Sequence, residues 1–427
     1  MNKILKIKLI DFELNLLLAA FLLQGFGDLI IGNFKIAFPL IFIYILFLTQ
    51  IITKRIIFFK FLFFLYLYIF IQSFIFLHVP LEGLYLFHYI GLIILSTTLF
   101  NFIYFNFNSY KEILNGYYNM CVFISKIVFI QLLLNLFFNL SFKPHVIFHL
   151  KSFYPFEKEI LGILPRAIGL STEPASFVIL MLPSIFLALL VIGKKIDFIP
   201  NKKINIYLLF GSFFFSFSIV GYFLFMLISI YIFNNILKQN KKLKRNLIYL
   251  AIPLILIIFT STISNKIKTL PNIISNANTY EYTTNDLSGF ALISNFFVAL
   301  NALVESNYIG KGINTHQVSY NKFIYNIFDI SQVPMEGLNQ KDAGSLYIRI
   351  ISEYGLPGFF LFLFFLYRYF IKKSYYDVNL KLINNMSIFM ILSFAFRNGG
   401  YLDIFLHFFF AISYFTYINN KKFIFYQ

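Results

Sequence analysis

Long apolar runs separated by short basic loops are the feature that most limits what this chain can fold into. Of its 427 residues, 59% are hydrophobic and 12% are charged, whereas soluble domains are about 45–50% apolar and about 25% charged. A helix needs about 20 mostly apolar residues to cross a bilayer, and by that rule we predict about 12 transmembrane helices. The predicted spans are residues 12–31, 34–52, 56–77, 84–105, 117–142, 175–193, 205–219, 220–237, 247–264, 356–372, 382–397 and 402–419. The sequence therefore predicts an all-α polytopic membrane protein.

The distribution of lysine and arginine gives an independent prediction of topology. Cytoplasmic loops of membrane proteins carry an excess of these two residues. With a cytoplasmic N-terminus, the basic clusters fall on the cytoplasmic side, and the opposite short loops at 78–82 and 398–400 contain no lysine. We therefore predict a multi-pass protein with both termini in the cytoplasm.

Two long segments are then predicted to lie outside, within a single polytopic domain that covers residues 1–427. Residues 143–174 form the first external loop. Residues 265–355 form a large external loop between late helices, with an amphipathic helix predicted at 289–305 and a second helix at 343–354. The net charge of +17 resides mainly in short loops, which indicates contact with anionic membrane lipids and not with nucleic acid.

The most polar motif of the first external loop runs from Arg166 to Glu173 and Pro174, directly before a predicted span. The fork of an arginine pairs with phosphate oxygens and stays charged. A partly desolvated carboxylate beside a membrane can act as a general base. The alternative is structural, with Pro174 in the first helical turn and Glu173 as a favourable charge at the helix N-terminus. Local chemistry alone leaves both interpretations open.

Other ionisable residues are predicted on the same external side. Arg349 and Glu353 are four residues apart, and either form a helical ion pair or let Arg349 hold a phosphate. Lys311 lies between two glycines, which suits a phosphate loop or a solvated turn. His316 is either a proton shuttle or a surface histidine. Arg397, followed by Asp403, is placed to complete a cationic pocket with Arg166.

Several chemistries find no support in the sequence. The predicted external segments contain no Asp-x-Asp pair and no carboxylate cluster, so we predict no metal site and no cofactor, although His145 and His149 form one His-x-x-x-His pair there. A single cysteine, Cys121, allows no intrachain disulfide. Neither Gly-x-Ser-x-Gly nor a Walker loop occurs.

Four segments, in this order, resemble motifs of O-antigen polymerases and their relatives in the O-antigen ligase superfamily. They are Arg166-Ala-Ile-Gly-Leu-Ser-Thr-Glu-Pro174, Phe215-Ser-Phe-Ser218 followed by Gly221, Ser306-Asn-Tyr-Ile-Gly-Lys-Gly312, and the run from Ala343 to Gly358. The chain departs from the family pattern in three places. Ile219 replaces an arginine, Tyr308 replaces a proline, and Asp342-Ala-Gly-Ser stands where ligases often have a His-x-x-Asn-like pattern. The missing histidine favours the polymerase branch.

The resemblance implies a metal-independent glycosyltransferase of the bacterial inner membrane. Such an enzyme joins repeat units carried on undecaprenyl pyrophosphate into O-antigen or capsular polysaccharide at the external face. Glu173 and Arg166 are the expected catalytic residues, and the expected substrate-binding residues are Arg349, Lys311, His316 and Arg397. The expected partners are the lipid-linked glycan, membrane lipids and a chain-length regulator protein.

Two other functions remain open. A ligase would transfer the finished glycan to a lipid core. A lipid-linked oligosaccharide flippase would also have about 12 spans, but the late external loop and the dissimilar halves of the chain disfavour transport.

Overall fold

A computed structural model describes most of the chain, and its described residues are 3–24, 28–31, 34–76, 83–138, 158–160, 164–165, 168–171, 173–235, 287–327, 337–372 and 377–422. Helices dominate them, as predicted. They are α1 (Lys3–Leu22), α2 (Phe38–Ile52), α3 (Lys60–Phe70), α4 (Gly83–Asn106), α5 (Tyr110–Phe138), α6 (Pro174–Ile192), α7 (Lys203–Phe214), α8 (Ile219–Asn235), α9 (Leu287–Glu305), α10 (His316–Ile327), α11 (Leu346–Arg368), α12 (Val378–Arg397) and α13 (Ile404–Lys422). The predicted span 247–264 lies outside the described residues.

Within the described residues, four helical stretches are long and apolar enough to cross a membrane. They are Tyr85–Phe138, Pro174–Ile192, Leu346–Arg368 and Val378–Arg397. Several other apolar helices, among them α2 and α7, are shorter. The structure therefore shows a helical protein with several helices able to span a bilayer, as a membrane protein requires.

The first of these stretches, Tyr85–Phe138, consists of two helices that run in opposite directions. A 3₁₀ turn at Phe107–Ser109 separates α4 from α5. Along α4 the contacts advance from Gly91, beside Leu402 just before α13, to Phe100, beside Phe415 within α13, so α4 runs in the same direction as α13. Along α5 the contacts move back toward the start of α13, since Tyr117 stacks on Phe408.

Two short hairpins interrupt the helical pattern. The first pairs β1 (Asp28–Ile31) with β2 (Phe34–Ala37), where the sequence predicts the end of one span and the start of the next. The predicted helix at 12–31 is therefore wrong in its second half. A short apolar run does not by itself distinguish strand from helix. The second hairpin pairs β3 (Lys158–Ile160) with β4 (Leu164–Pro165), inside the predicted first external loop.

Helix α6 forms the centre of the bundle. Every residue from Phe177 to Val191 is buried, and α5, α7, α8 and α12 pack around the helix. Lipid is as apolar as these side chains, so close packing rather than water exclusion holds such a helix in a bilayer. Because α6 is held centrally in the bundle, the position of Glu173, directly before its first residue, is also fixed.

The helices α9, α10 and α11 pack against one another and form a late module. The helix predicted at 289–305 is confirmed as part of α9. The helix predicted at 343–354 and the span predicted at 356–372 meet inside α11, at Gly355. Gly355 has a φ of 63°, a conformation that glycine adopts at little cost, and the helix bends there.

Candidate functional site

The motif that ends in Glu173 is built around a tight turn and a helix start. Gly169 has a φ of 57°, and a side chain there would meet Ile124 and Phe177, so the motif needs glycine at this position. Gln131 of α5 donates to the carbonyl oxygen of Gly169 at 2.8 Å and holds the turn against the bundle. Arg166 lies outside the described residues, so its catalytic role stays a prediction.

Glu173 directly precedes α6, which begins at Pro174. Proline suits the first helical position because a backbone N–H at that position would have no acceptor within the helix. The Ser176 hydroxyl donates to Glu173 Oε1 at 3.2 Å. The carboxylate therefore stands at the positive end of the α6 dipole, where the Ser176 hydroxyl helps to fix it.

The structure brings Arg397, the last residue of α12, to Glu173. Arg397 Nη2 lies 3.4 Å from both carboxylate oxygens. The side chain of Glu173 is 35% exposed and that of Arg397 is 25% exposed. A pair that is this open to solvent contributes only about 0–1 kcal/mol to stability. Both groups can consequently exchange partners with a ligand at little cost.

A cavity of about 140 Å³ is lined by both polar and apolar side chains and has room for several water molecules. It adjoins the pair through Ser176, which donates to Glu173, and Asn398, which follows Arg397. Phe394 and Phe405 form part of its wall. The polar lining comes from the end of α1, the start of α6 and the turn between α12 and α13, and consists of Gln24, Ser171, Ser176, Asn398 and Asp403. Hydroxyl and amide groups therefore surround the space next to Glu173.

Asp403 is a carboxylate in the lining of this cavity. Gln24 Nε2 donates to its Oδ2 at 2.6 Å, and the Phe405 N–H donates to its Oδ1 at 2.8 Å. The sequence gives Asp403 only as the neighbour of Arg397, although an aspartate before an apolar run is also a helix-start signal.

The described charges around the cavity do not form the cationic pocket expected from the sequence. Glu173 pairs with Arg397, whereas the side-chain donors to Asp403 are the uncharged Gln24 and Asn398. With both acids ionised the described charges leave one negative charge in excess. The described side chains around the cavity therefore do not supply the positive charge that a phosphate would need.

Arg349 is buried in an ion pair in the late module. Its Nε donates to Glu353 Oε1 at 2.8 Å, with side-chain exposures of 7% and 0%. Its Nη1 donates to Gly399 O at 3.0 Å and its Nη2 to Asn314 Oδ1 at 2.9 Å. The guanidinium carbon lies 3.9 Å from the ring centre of Tyr401. These contacts favour the structural interpretation of Arg349 over contact with a phosphate.

His316 is buried, so its interpretation as a surface histidine is wrong. Its Nδ1 lies 2.8 Å from Ser352 Oγ and its Nε2 lies 2.9 Å from Asn295 Oδ1. Burial, with the nearby charge of Arg349, lowers the pKa of His316 to about 3. The ring is therefore neutral at physiological pH and joins α9, α10 and α11.

The glycine turn around Lys311 packs on α11. The Lys311 N–H donates to Ser352 O at 3.1 Å and the Gly312 N–H to Glu353 O at 2.7 Å. A side chain at Gly310 would collide with the backbone at Gly355. The Lys311 amine pairs with Glu305. In this structure the backbone donors serve helix packing, and a phosphate-binding role for Lys311 stays a prediction.

The late module and the cavity are joined through one turn. Arg349 binds Gly399, two residues after Arg397, and the Ser345 hydroxyl donates to Ala395 O at 2.9 Å. The module therefore helps to fix the turn that carries Arg397 and Asp403.

Comparison with models of protein families, with curated proteins and with solved structures finds no match to this chain. Among the described residues, no group of three or more His, Cys, Asp or Glu side chains is placed to hold a metal ion. Independence from metal stays a prediction. The class defined by the fold is a helical protein with several helices able to cross a membrane.

Proposed function

We propose that this chain is a membrane-embedded glycosyltransferase that joins lipid-linked oligosaccharide repeat units into a polysaccharide. The observation that carries the proposal is the partly exposed Glu173, held at the start of the central helix beside a cavity lined with hydroxyls and amides. The ordered resemblance to O-antigen polymerases supports the same function. Such an enzyme would act in the bacterial inner membrane on glycans carried by undecaprenyl pyrophosphate.

In the proposed reaction Glu173 takes the proton of an acceptor sugar hydroxyl. The hydroxyl oxygen forms a bond to the anomeric carbon of the donor glycan, and the bond from that carbon to the pyrophosphate oxygen breaks. Undecaprenyl pyrophosphate leaves with the electron pair, and Glu173 later returns its proton to water. A general base of this kind is typically worth about 10²–10⁴ in rate.

The charge of the cavity indicates which part of the substrate it receives. Two carboxylates, Glu173 and Asp403, with Arg397 as the one described guanidinium nearby are a poor environment for pyrophosphate, because like charges repel. Sugar hydroxyls suit it better, since they donate to carboxylates and accept from amides. We therefore assign the cavity to the acceptor sugar and the leaving pyrophosphate to Arg166, where fixed positive charge stabilises the developing anion.

Deletion of the gene, followed by electrophoresis of the surface glycan, tests this function against its alternatives. Loss of a polymerase leaves a single repeat unit on the lipid core. Loss of a ligase or of a flippase leaves a bare core. A bare core after deletion, restored to full polymer by the wild-type gene, would contradict the polymerase proposal.

A further inference from the structure

Helix α9 has two apolar faces, although the sequence places it in an external loop. Phe290, Ile293 and Val298 pack inward against α10. On the opposite side, apolar side chains recur at four-residue spacing and continue into the following turn. Those with the largest exposure are Leu292, Phe296, Val304, Tyr308 and Ile309, which are between 37% and 61% exposed. A helix that faces water usually carries polar residues on that side.

This outer stripe continues onto the exposed surface of α11. The Leu356 N–H donates to Tyr308 O at 3.0 Å, so the end of the stripe touches α11 directly after its bend. From that contact onward α11 exposes large apolar side chains, among them Phe360 and Phe364. α11 is one of the helices able to cross a membrane, and such a surface faces lipid in a bilayer. The stripe extends the same apolar surface.

The distance along two helices, from a basic residue to the contact with the turn, indicates how deep in a bilayer the turn lies. Leu356 lies twelve residues before Arg368, which corresponds to about 18 Å of helix. Gln72, which donates to Glu353 O at 2.8 Å and to Ile309 O at 3.3 Å, lies a similar distance from Lys60. The hydrocarbon core of a bilayer is about 30 Å thick. If Arg368 and Lys60 mark one boundary of the hydrocarbon core, the turn is only about 18 Å from that boundary and lies within the core, short of the opposite boundary.

The backbone of the turn is satisfied as lipid would require. Unpaired N–H groups are not tolerated in hydrocarbon, and irregular backbone survives at membrane depth only where protein groups satisfy it. The N–H groups of Tyr308, Ile309, Lys311 and Gly312 donate to backbone carbonyl oxygens, and that of Gly310 donates to the hydroxyl of Ser306 at 2.9 Å.

The charges beside the stripe are compatible with this placement. Glu305 is paired with both Lys311 and Lys322. Long lysine side chains extend from an apolar surface to lipid headgroups, and anionic headgroups attract them.

We propose that the outer stripe of α9 and the turn from Ser306 to Gly312 lie against lipid acyl chains, in the leaflet opposite Arg368 and Lys60. This part of the chain is then a re-entrant element of the membrane-embedded bundle and not a solvated loop. The inference depends on membrane insertion and is independent of the enzymatic activity.

The absence of tryptophan from the sequence provides a direct test, because a single introduced tryptophan is the only one in the protein. Phe296→Trp places it on the stripe, and Tyr325→Trp places it on the exposed polar side of α10 as the matched control. The full chain is reconstituted in phosphatidylcholine and phosphatidylglycerol vesicles with brominated or ordinary acyl chains. Acrylamide is the quencher in the water phase.

We expect brominated lipid to quench most of the Phe296→Trp fluorescence and acrylamide to quench little of it, with the reverse for Tyr325→Trp. Equal acrylamide quenching of the two variants would show that the stripe faces water. A Phe296→Trp signal shielded from both quenchers would show that protein covers it. Either result overturns the proposal. If Phe296→Trp fails to fold, Val304→Trp on the same stripe gives the same readout.

Discussion

Removing the positive charge of Arg349 should strongly destabilise the fold. Arg349→Met keeps much of the side-chain volume and leaves Glu353, which is fully buried, without its counter-charge. Breaking a buried ion pair at one partner typically costs about 3–5 kcal/mol. The variant also loses the hydrogen bonds to Gly399 and Asn314. We therefore expect the free energy of unfolding to fall by about 3–5 kcal/mol.

The exposed pair of Lys311 and Glu305 is the matched control in the same module. The side chain of Glu305 is 37% exposed, and exposed pairs are worth about 0–1 kcal/mol. Lys311→Met should therefore lower the free energy of unfolding by about 1 kcal/mol or less. Unfolding in mixed micelles, driven by increasing detergent denaturant and followed by circular dichroism, measures both variants.

The double variant Arg349→Met/Glu353→Gln separates the ion pair from lost packing. It removes both buried charges. Its loss of unfolding free energy should therefore be smaller than the summed losses of Arg349→Met and Glu353→Gln by at least about 1 kcal/mol. If Arg349→Met is no more destabilised than Lys311→Met, or if the single losses simply add, the buried ion pair does not hold the module in place.

Two further predictions concern the cavity. Asp403→Ala should lower the free energy of unfolding by about 1–3 kcal/mol, because it leaves Gln24 and the Phe405 N–H without their acceptor. An unchanged free energy of unfolding would contradict the contacts assigned to Asp403. Arg397→Ala should lower polymer formation while the melting temperature stays near that of wild type, since the pair with Glu173 is partly exposed. Arg397→Lys should retain part of the activity, and wild-type polymer levels in Arg397→Ala would remove Arg397 from the site.

The helices were predictable because long apolar runs leave a chain few alternatives at membrane length. Gly355 falls between the predicted helix at 343–354 and the predicted span at 356–372, so the sequence divides α11 at the residue where it bends but does not predict the bend itself. The sequence did not predict the hairpin of β1 and β2. Its strands are only four residues long, and at that length an apolar run fits a strand as well as a helix end.

The side-chain partners were less predictable than the helices. Arg349 was expected to reach Glu353 because helical spacing is local, but Gly399 and Tyr401 come from a turn about fifty residues later. The burial of His316 depends on Asn295 and Ser352, on two other helices. Glu173 and Arg397 are likewise joined only by the fold. Periodicity predicts which face of a helix is apolar, but it does not predict which distant segment will cover a polar group.

Glu173→Gln tests the central claim, that this carboxylate accepts the proton of the acceptor hydroxyl. The amide keeps the size of the side chain but cannot take a proton. Glu305→Gln, at an exposed carboxylate paired with lysines in the late module, is the matched control.

The measurement is the rate of polymer formation from lipid-linked repeat units in vesicles, normalised to the amount of folded protein. The account predicts that Glu173→Gln folds normally and loses about 10²–10⁴ in rate, while Glu305→Gln keeps near wild-type activity. A well-folded Glu173→Gln enzyme that polymerises at the wild-type rate would contradict the account.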